Sequence, residues 1–130
     1  MKRLLIPILI GTAISGCNSD INPDTVSDYR DVFQGQYIGI RTNSSWSMNG
    51  PTTSTDVADT ISVVAVGDSA ILIDGFEIQI NVDGEFFEQG NGGASNYFSV
   101  QFIQPDSLRT DMNSGGLGGG YHSTFKGRKG

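Results

Sequence analysis

Few side chains among these 130 residues have the chemistry of a catalyst or a metal ligand. His122 is the one imidazole and Cys17 the one thiol, too small an inventory for a zinc centre, which is built mainly from those two residue types. A Ser-His-Asp set is open on composition, yet no Gly-x-Ser-x-Gly turn presents a serine, and alternation with Tyr121 and Phe125 points His122 toward solvent. Glu77, Asp83, Glu85 and Glu88 gather around one turn and could hold a calcium ion or act as a carboxylate pair. With no Asp-x-Asp-x-Asp-Gly run among them, solvated surface is the plainer explanation. The glycines of Gly115 to Gly120 could let backbone N–H groups approach a phosphate. The Gly-x-Gly-x-x-Gly spacing is not met, no Lys-Ser/Thr follows and no helix opens after it, so a mobile turn, with room for a glycine bulge, is expected instead. No catalytic residue, metal site or cofactor is expected, and the chain reads as a protein that is not an enzyme.

Cys17 has a different context. Met1-Lys2-Arg3 gives a positive start, and Leu4 to Ile14 is almost wholly apolar, interrupted by Pro7, Gly11 and Thr12. A run of this length behind a basic start has the form of a secretory signal and is too short to span a bilayer unaided. Ile14-Ser15-Gly16-Cys17 at its end resembles the lipobox of bacterial lipoproteins. The resemblance implies a diacylglyceryl group on the Cys17 sulfur, cleavage before Cys17, and acylation of the new terminal amine. It also implies the outer membrane, because Asn18 stands where an Asp favours inner-membrane retention. A Cys–His couple is then excluded. An ordinary signal peptide and an uncleaved anchor are the alternatives. Two or three acyl chains, at about 0.8 kcal/mol for each buried methylene, hold a protein on a membrane almost permanently.

Residues 1–16 are thus read as signal, 17–27 as the lipidated cysteine and a flexible tether, and 28–130 as one domain. Losing Lys2 and Arg3 leaves 6 basic against 14 acidic residues, a formal charge of −8. That balance argues against nucleic acid or an anionic membrane surface as partner. One cysteine permits no internal disulfide, so an apolar core must supply the stability.

What positions any site is a set of strands. Phe76, Ile78, Ile80 and Val82 alternate with polar residues, the clearest half-buried strand in the chain. Asp83-Gly84 then predicts a tight hairpin into 85–89. Similar signals fall at 36–42, 60–66, 70–73, 98–102, 108–112 and 121–126, after one helical turn over Asp28 to Phe33. The expectation is all-β: an antiparallel up-and-down meander of about eight short strands forming a small barrel or half-barrel. Its interior candidates are Tyr37, Ile61, Val63, Ala65, Phe76, Ile78, Ile80, Phe98, Val100, Phe102, Tyr121 and Phe125.

Phe33-Gln34-Gly35-Gln36-Tyr37, a helical turn leading into a strand, resembles the Gly-x-Trp opening of calycin (lipocalin-like) barrels, with Tyr37 in the place of Trp. That resemblance implies a basic residue, Lys126 or Arg128, packed over Tyr37. Residues 43–59 read as a long loop in which Trp46 and Met48 could cover a barrel mouth or meet a partner, with Tyr37 as a third candidate for ligand or partner binding. For Trp46 the alternative is packing on the barrel's own open end. A second loop is expected at 90–95. The expected function is a non-enzymatic, membrane-anchored lipoprotein binding a small apolar ligand or an envelope protein. Its rival is a structural or envelope-interaction module with a fully packed barrel and no cavity.

Overall fold

The computed structural model describes residues 28–90 and 96–130. The expected signal, tether and most of the 90–95 loop lie outside them. The described chain is all-β apart from one short 3-10 turn, Tyr29–Val32. Its strands are β1 (Gly35–Ser47), β2 (Thr53–Val66), β3 (Ala70–Ile73), β4 (Phe76–Ile78), β5 (Glu85–Gln89), β6 (Tyr97–Ile103), β7 (Ser107–Gly116) and β8 (Gly119–Lys129). They form one antiparallel sheet in the order β4-β3-β2-β1-β8-β7-β6-β5. This is the expected meander, curled into a nearly closed barrel by pairing of the first strand with the last.

Alternation explains the core. Tyr37, Ile61, Val63, Ile71, Ile73, Ile78, Val100, Phe102, Leu108 and Phe125 are inward members of their strands and are buried. Tyr37 meets Phe102 edge-on at 5.7 Å, and its hydroxyl donates to the Phe33 carbonyl at 2.9 Å. Phe33, at the foot of the 3-10 turn, plugs the end of the barrel against Phe102 at 4.7 Å.

That plug is fastened by charge. Asp28 caps the turn, accepting from the Arg30 N–H at 2.9 Å and pairing with the Arg30 guanidinium. Arg30 is buried, and its Nη1 donates to the carbonyls of Val66, Gly67 and Ala70 at 3.1, 3.2 and 2.8 Å. A buried guanidinium needs such partners, because an unpaired one would be strongly destabilising. The side-chain hydrogen bond from Arg30 is the main reason that the Asp28 carboxyl is lowered to about 2.

Several expectations are corrected. Residues 43–59 are not a loop: β1 and β2 run through them as a paired hairpin, Ser45 opposite Thr53, turning only at 48–52. Gly115 to Gly120 likewise form the ends of β7 and β8, with a two-residue turn at Leu117-Gly118. The fourth strand stops at Ile78, and Phe76 and Val82 are exposed although Ile80 is buried. Asp83-Gly84 does turn the chain, with Gly84 at φ 76°, but β4 and β5 do not pair. The Asn81 side chain organises that turn by accepting from the N–H groups of Asp83 and Glu85 at 3.1 and 2.8 Å. The opening left between β4 and β5 is bridged by Phe76, whose ring lies 4.8 Å from that of Phe98 on β6, itself 6.1 Å from Phe86 of β5. Among the other interior candidates, Ala65 and Phe98 are half-buried and Tyr121 is exposed.

Two stability outcomes follow. A Cβ on Gly84 would lie 2.7 Å from the Phe33 ring and 2.9 Å from Phe102 Cβ, in a left-handed backbone. Gly84→Ala should therefore cost about 2–4 kcal/mol, read as a lower urea midpoint at unchanged slope. Because the Asp28 pKa is depressed in the fold, its contribution is complete above the unfolded value of about 4 and is lost as pH falls through about 2. Asp28→Asn should be less stable at neutral pH and should show a shallower loss of stability across that window in acid-unfolding curves.

Candidate functional site

The barrel is apolar at the plugged end and polar at the other. β3, β4 and β5 are short, so only β1, β2, β7 and β8 continue past the core. Arg41 marks the boundary. It lies in phase with Tyr37 on the inner face of β1, with its guanidinium carbon 5.7 Å from the Phe125 ring centre. Its Nε donates to Asp59 Oδ2 of β2 at 2.5 Å and its Nη2 to Asp74 Oδ2 of the β3–β4 turn at 2.8 Å. Burial works against the Arg41 charge, but the hydrogen bonds to the two carboxylates outweigh it and raise its pKa. The hydrogen bond from Arg41 holds the Asp59 carboxyl below its ordinary range, against the opposing effect of burial.

Beyond Arg41 the inner face is a hydrogen-bonded polar layer. Asn43 Oδ1 accepts from Ser123 at 2.8 Å and from the Tyr121 hydroxyl at 2.6 Å, and the Ser45 and Thr53 hydroxyls meet at 2.8 Å. Among the described residues, no buried side-chain nitrogen or oxygen lacks a partner. This layer is a satisfied network rather than a set of groups converging on an unfilled position.

The residues singled out in the sequence separate. Tyr37 is buried in the core, its hydroxyl engaged by Phe33. Lys126 and Arg128 do not cover it, because both face outward; Lys129 stands opposite Tyr37 instead and donates from Nζ to the Val32 carbonyl at 3.1 Å. Trp46 covers no mouth. By register it is on the outer face, over Gly120 and beside Gly115, where a Cβ would come within 2.7 and 3.3 Å of the indole. The glycines make room for a ring laid across two strands, in the manner of an aromatic shielding a strand glycine. Met48 is 72 % exposed at the adjoining turn, its N–H donating to the Gly118 carbonyl at 3.2 Å, and Leu117 beside it is 96 % exposed. Trp46, Met48 and Leu117 thus form an apolar tip. Cys17 lies outside the described residues.

His122 faces outward, half-exposed, with Nε2 2.9 Å from Asp111 Oδ1. Register puts Ser44 opposite His122, but the Ser44 hydroxyl donates to Ser54 at 3.1 Å. The backbone N–H groups of this ladder are engaged between strands, so no oxyanion-binding pair faces that serine. Glu77, Asp83, Glu85 and Glu88 are all exposed, and among the described residues no three His, Cys, Asp or Glu side chains gather as metal ligands.

No protein-family model, curated protein or solved structure matches the chain.

Two features were not read from the sequence. One is the Arg41–Asp59–Asp74 cluster, whose signal was an arginine in the inward phase of β1. The other is a groove of about 470 Å³ on the outer face of β1, β8, β7 and the end of β6, lined by Ile38, Ile103, Arg109, Lys126 and Arg128. The phase of β8 already puts Lys126 and Arg128 together, but Arg109 joins them only through the pairing of β7 with β8.

Replacing Arg41 by Met keeps the packing on Phe125 and leaves two carboxylates without their counter-charge. Both remain about one-third exposed, so water screens them and the cost should be about 1–3 kcal/mol. Adding Asp59→Asn and Asp74→Asn should recover part of it in thermal melts. A triple variant no more stable than the single one would show that packing, not charge, is what Arg41 contributes.

Proposed function

We propose that the chain is a non-enzymatic lipoprotein of the outer membrane, anchored through Cys17, whose packed, calycin-like barrel acts through its outer surface on an envelope protein. The observation carrying this reading is the filled interior. Phe33, Tyr37, Ile61, Val100, Phe102 and Phe125 occupy the apolar half at 5 % exposure or less, and the Arg41 cluster lies across the way in. An eight-stranded barrel has an interior that side chains alone can fill. Of the two readings open from the sequence, this supports the packed module over a carrier of a small apolar ligand. The tip of Trp46, Met48 and Leu117 is the face best suited to a protein, since large exposed apolar and aromatic side chains clustered in one place mark interaction surfaces. The anchor is supported by the lipobox resemblance at Ile14 to Cys17 and by the basic, short apolar leader before it.

Native mass spectrometry of residues 18–130 mixed with an envelope lipid extract tests the interior. The expected result is an apo mass; a retained lipid would restore the carrier. Cys17→Ala tests the anchor. The variant should leave the membrane fraction or remain unprocessed, and unchanged fractionation with intact lipidation would sink the lipoprotein reading.

A further inference from the structure

The formal charge conceals how the cations are arranged. Six basic residues follow Arg3. Arg30 and Arg41 are engaged inside the fold by carboxylates. The remaining four, Arg109, Lys126, Arg128 and Lys129, all belong to β7 and β8. Arg109 stands directly opposite Lys126, and Arg128 is flanked by Ser107 and Ile38. Beside them Ile38, Ile40 and Ile103 are 59, 48 and 50 % exposed, giving the groove an apolar border. Three acidic groups temper the field: Asp111 at 3.6 Å from Arg109 Nη2, Asp106 at the β6–β7 turn, and Glu85 two strands away. On this flank the cations nonetheless dominate, although the protein as a whole is acidic.

The position of the flank matters as much as its charge. It adjoins the end at which the chain enters the fold, where the 3-10 turn is held to the β2–β3 turn by Arg30 and to the end of β8 by Lys129. Only residues 18–27 separate Cys17 from Asp28, a span of at most about 40 Å even when fully extended. The apolar tip is at the opposite end of β1 and β8.

We propose that this flank rests on the leaflet that carries the anchor. Arg109, Lys126 and Arg128 meet the phosphates of anionic phospholipids, and Ile38, Ile40 and Ile103 sit at headgroup level. The inference builds on the lipid-anchor reading. A cation near such a surface strengthens binding by about fivefold, so this few would give only weak affinity to a free domain. A short tether makes that sufficient, because it turns docking into an intramolecular step at high effective concentration. Docked in this way, the barrel holds its tip away from the membrane.

The test is co-sedimentation of the chain from residue 17 onward, carrying Cys17→Ser, with vesicles of phosphatidylcholine alone or mixed equally with phosphatidylglycerol. Binding should favour the anionic vesicles and fade at high salt. Arg109→Gln, Lys126→Gln and Arg128→Gln combined should weaken it on the order of a hundredfold. Asn49→Asp, Thr52→Glu and Ser54→Glu combined, all at exposed positions, change the net charge equally but lie toward the other end, and should weaken it far less. If circular dichroism shows the first triple variant unfolded, the single substitutions, each expected to lose about fivefold, replace it. Equal binding to both vesicles, as expected if the flank instead serves an acidic protein, overturns the proposal. So does equal loss in the two triple variants. Because this protein carries no lipid, the result is independent of Cys17: an anchor confirmed by fractionation survives a negative here, and a positive here survives the loss of the anchor.

Discussion

The pairing of the first strand with the last is the constraint on which this structure depends. A meander of eight strands has two edges and one apolar face, and only curling brings that face together. β1 and β8 close it over an unbroken register from Tyr37–Lys129 to Ser47–Gly119. The closest approach is at Gly39 and Gly127. A Cβ on Gly39 would fall 2.0 Å from the Lys126 carbonyl oxygen, and one on Gly127 2.4 Å from the Phe125 ring. Two glycines facing each other thus let Phe125 lie along the seam, fully buried, with Arg41 over its ring. Core, seam and ion cluster are one arrangement.

The seam also determines why the two ends differ. Strands joined over so many residues extend well past the short β3, β4 and β5, so the inner face of their far halves has no opposing wall. Apolar side chains there would be exposed to water, and the chain places Asn43, Ser45, Thr53 and Thr55 in those positions. Arg41 with Asp59 and Asp74 lies between the two regimes. Its aliphatic stem and ring contact suit the core while its charge suits the polar layer.

Where burial is one-sided, the sequence announces the structure. A segment of each of the eight strands was legible, by alternation at 76–82, 98–102 and 121–126 and by flanking turns elsewhere, and the 3-10 turn was visible as Asp28 to Phe33. The misreadings fall where burial ceases to impose a pattern. Residues 43–59 looked like a loop because Ser, Thr, Asn and Asp fill both faces, and a strand held by its ladder rather than its core has no hydrophobic period to show. The glycines at 115–120 looked mobile because their partner is remote: Trp46, on another strand, needs their missing side chains. Ile80 and Val82 carried the alternation beyond the true end of β4, since a sequence does not show where the neighbouring strand stops. Of the candidate surfaces, the tip was half legible through Trp46 and Met48. The basic flank was not, because it exists only once register sets Arg109 beside Lys126.

Net charge is likewise blind to register. A formal sum treats every carboxylate as part of one field, whereas the acids here have local work. Past its pairing with β3, β2 has an open edge through 53–62, and that stretch carries Asp56 and Asp59. β4 and β5, facing each other across the opening, carry Glu77, Glu85 and Glu88. Unpaired strand edges invite edge-to-edge association, and charge along them opposes it. Asp56, Glu77, Glu85 and Glu88 thus put charge where the barrel is incomplete, while the closed side, β1 with β8 and β7, has no such edge to protect. That side is free to concentrate cations beside exposed isoleucines, a combination that an open edge would make hazardous and that a closed ladder tolerates. The basic groove thus lies on the side where closure is complete, away from the opening between β4 and β5.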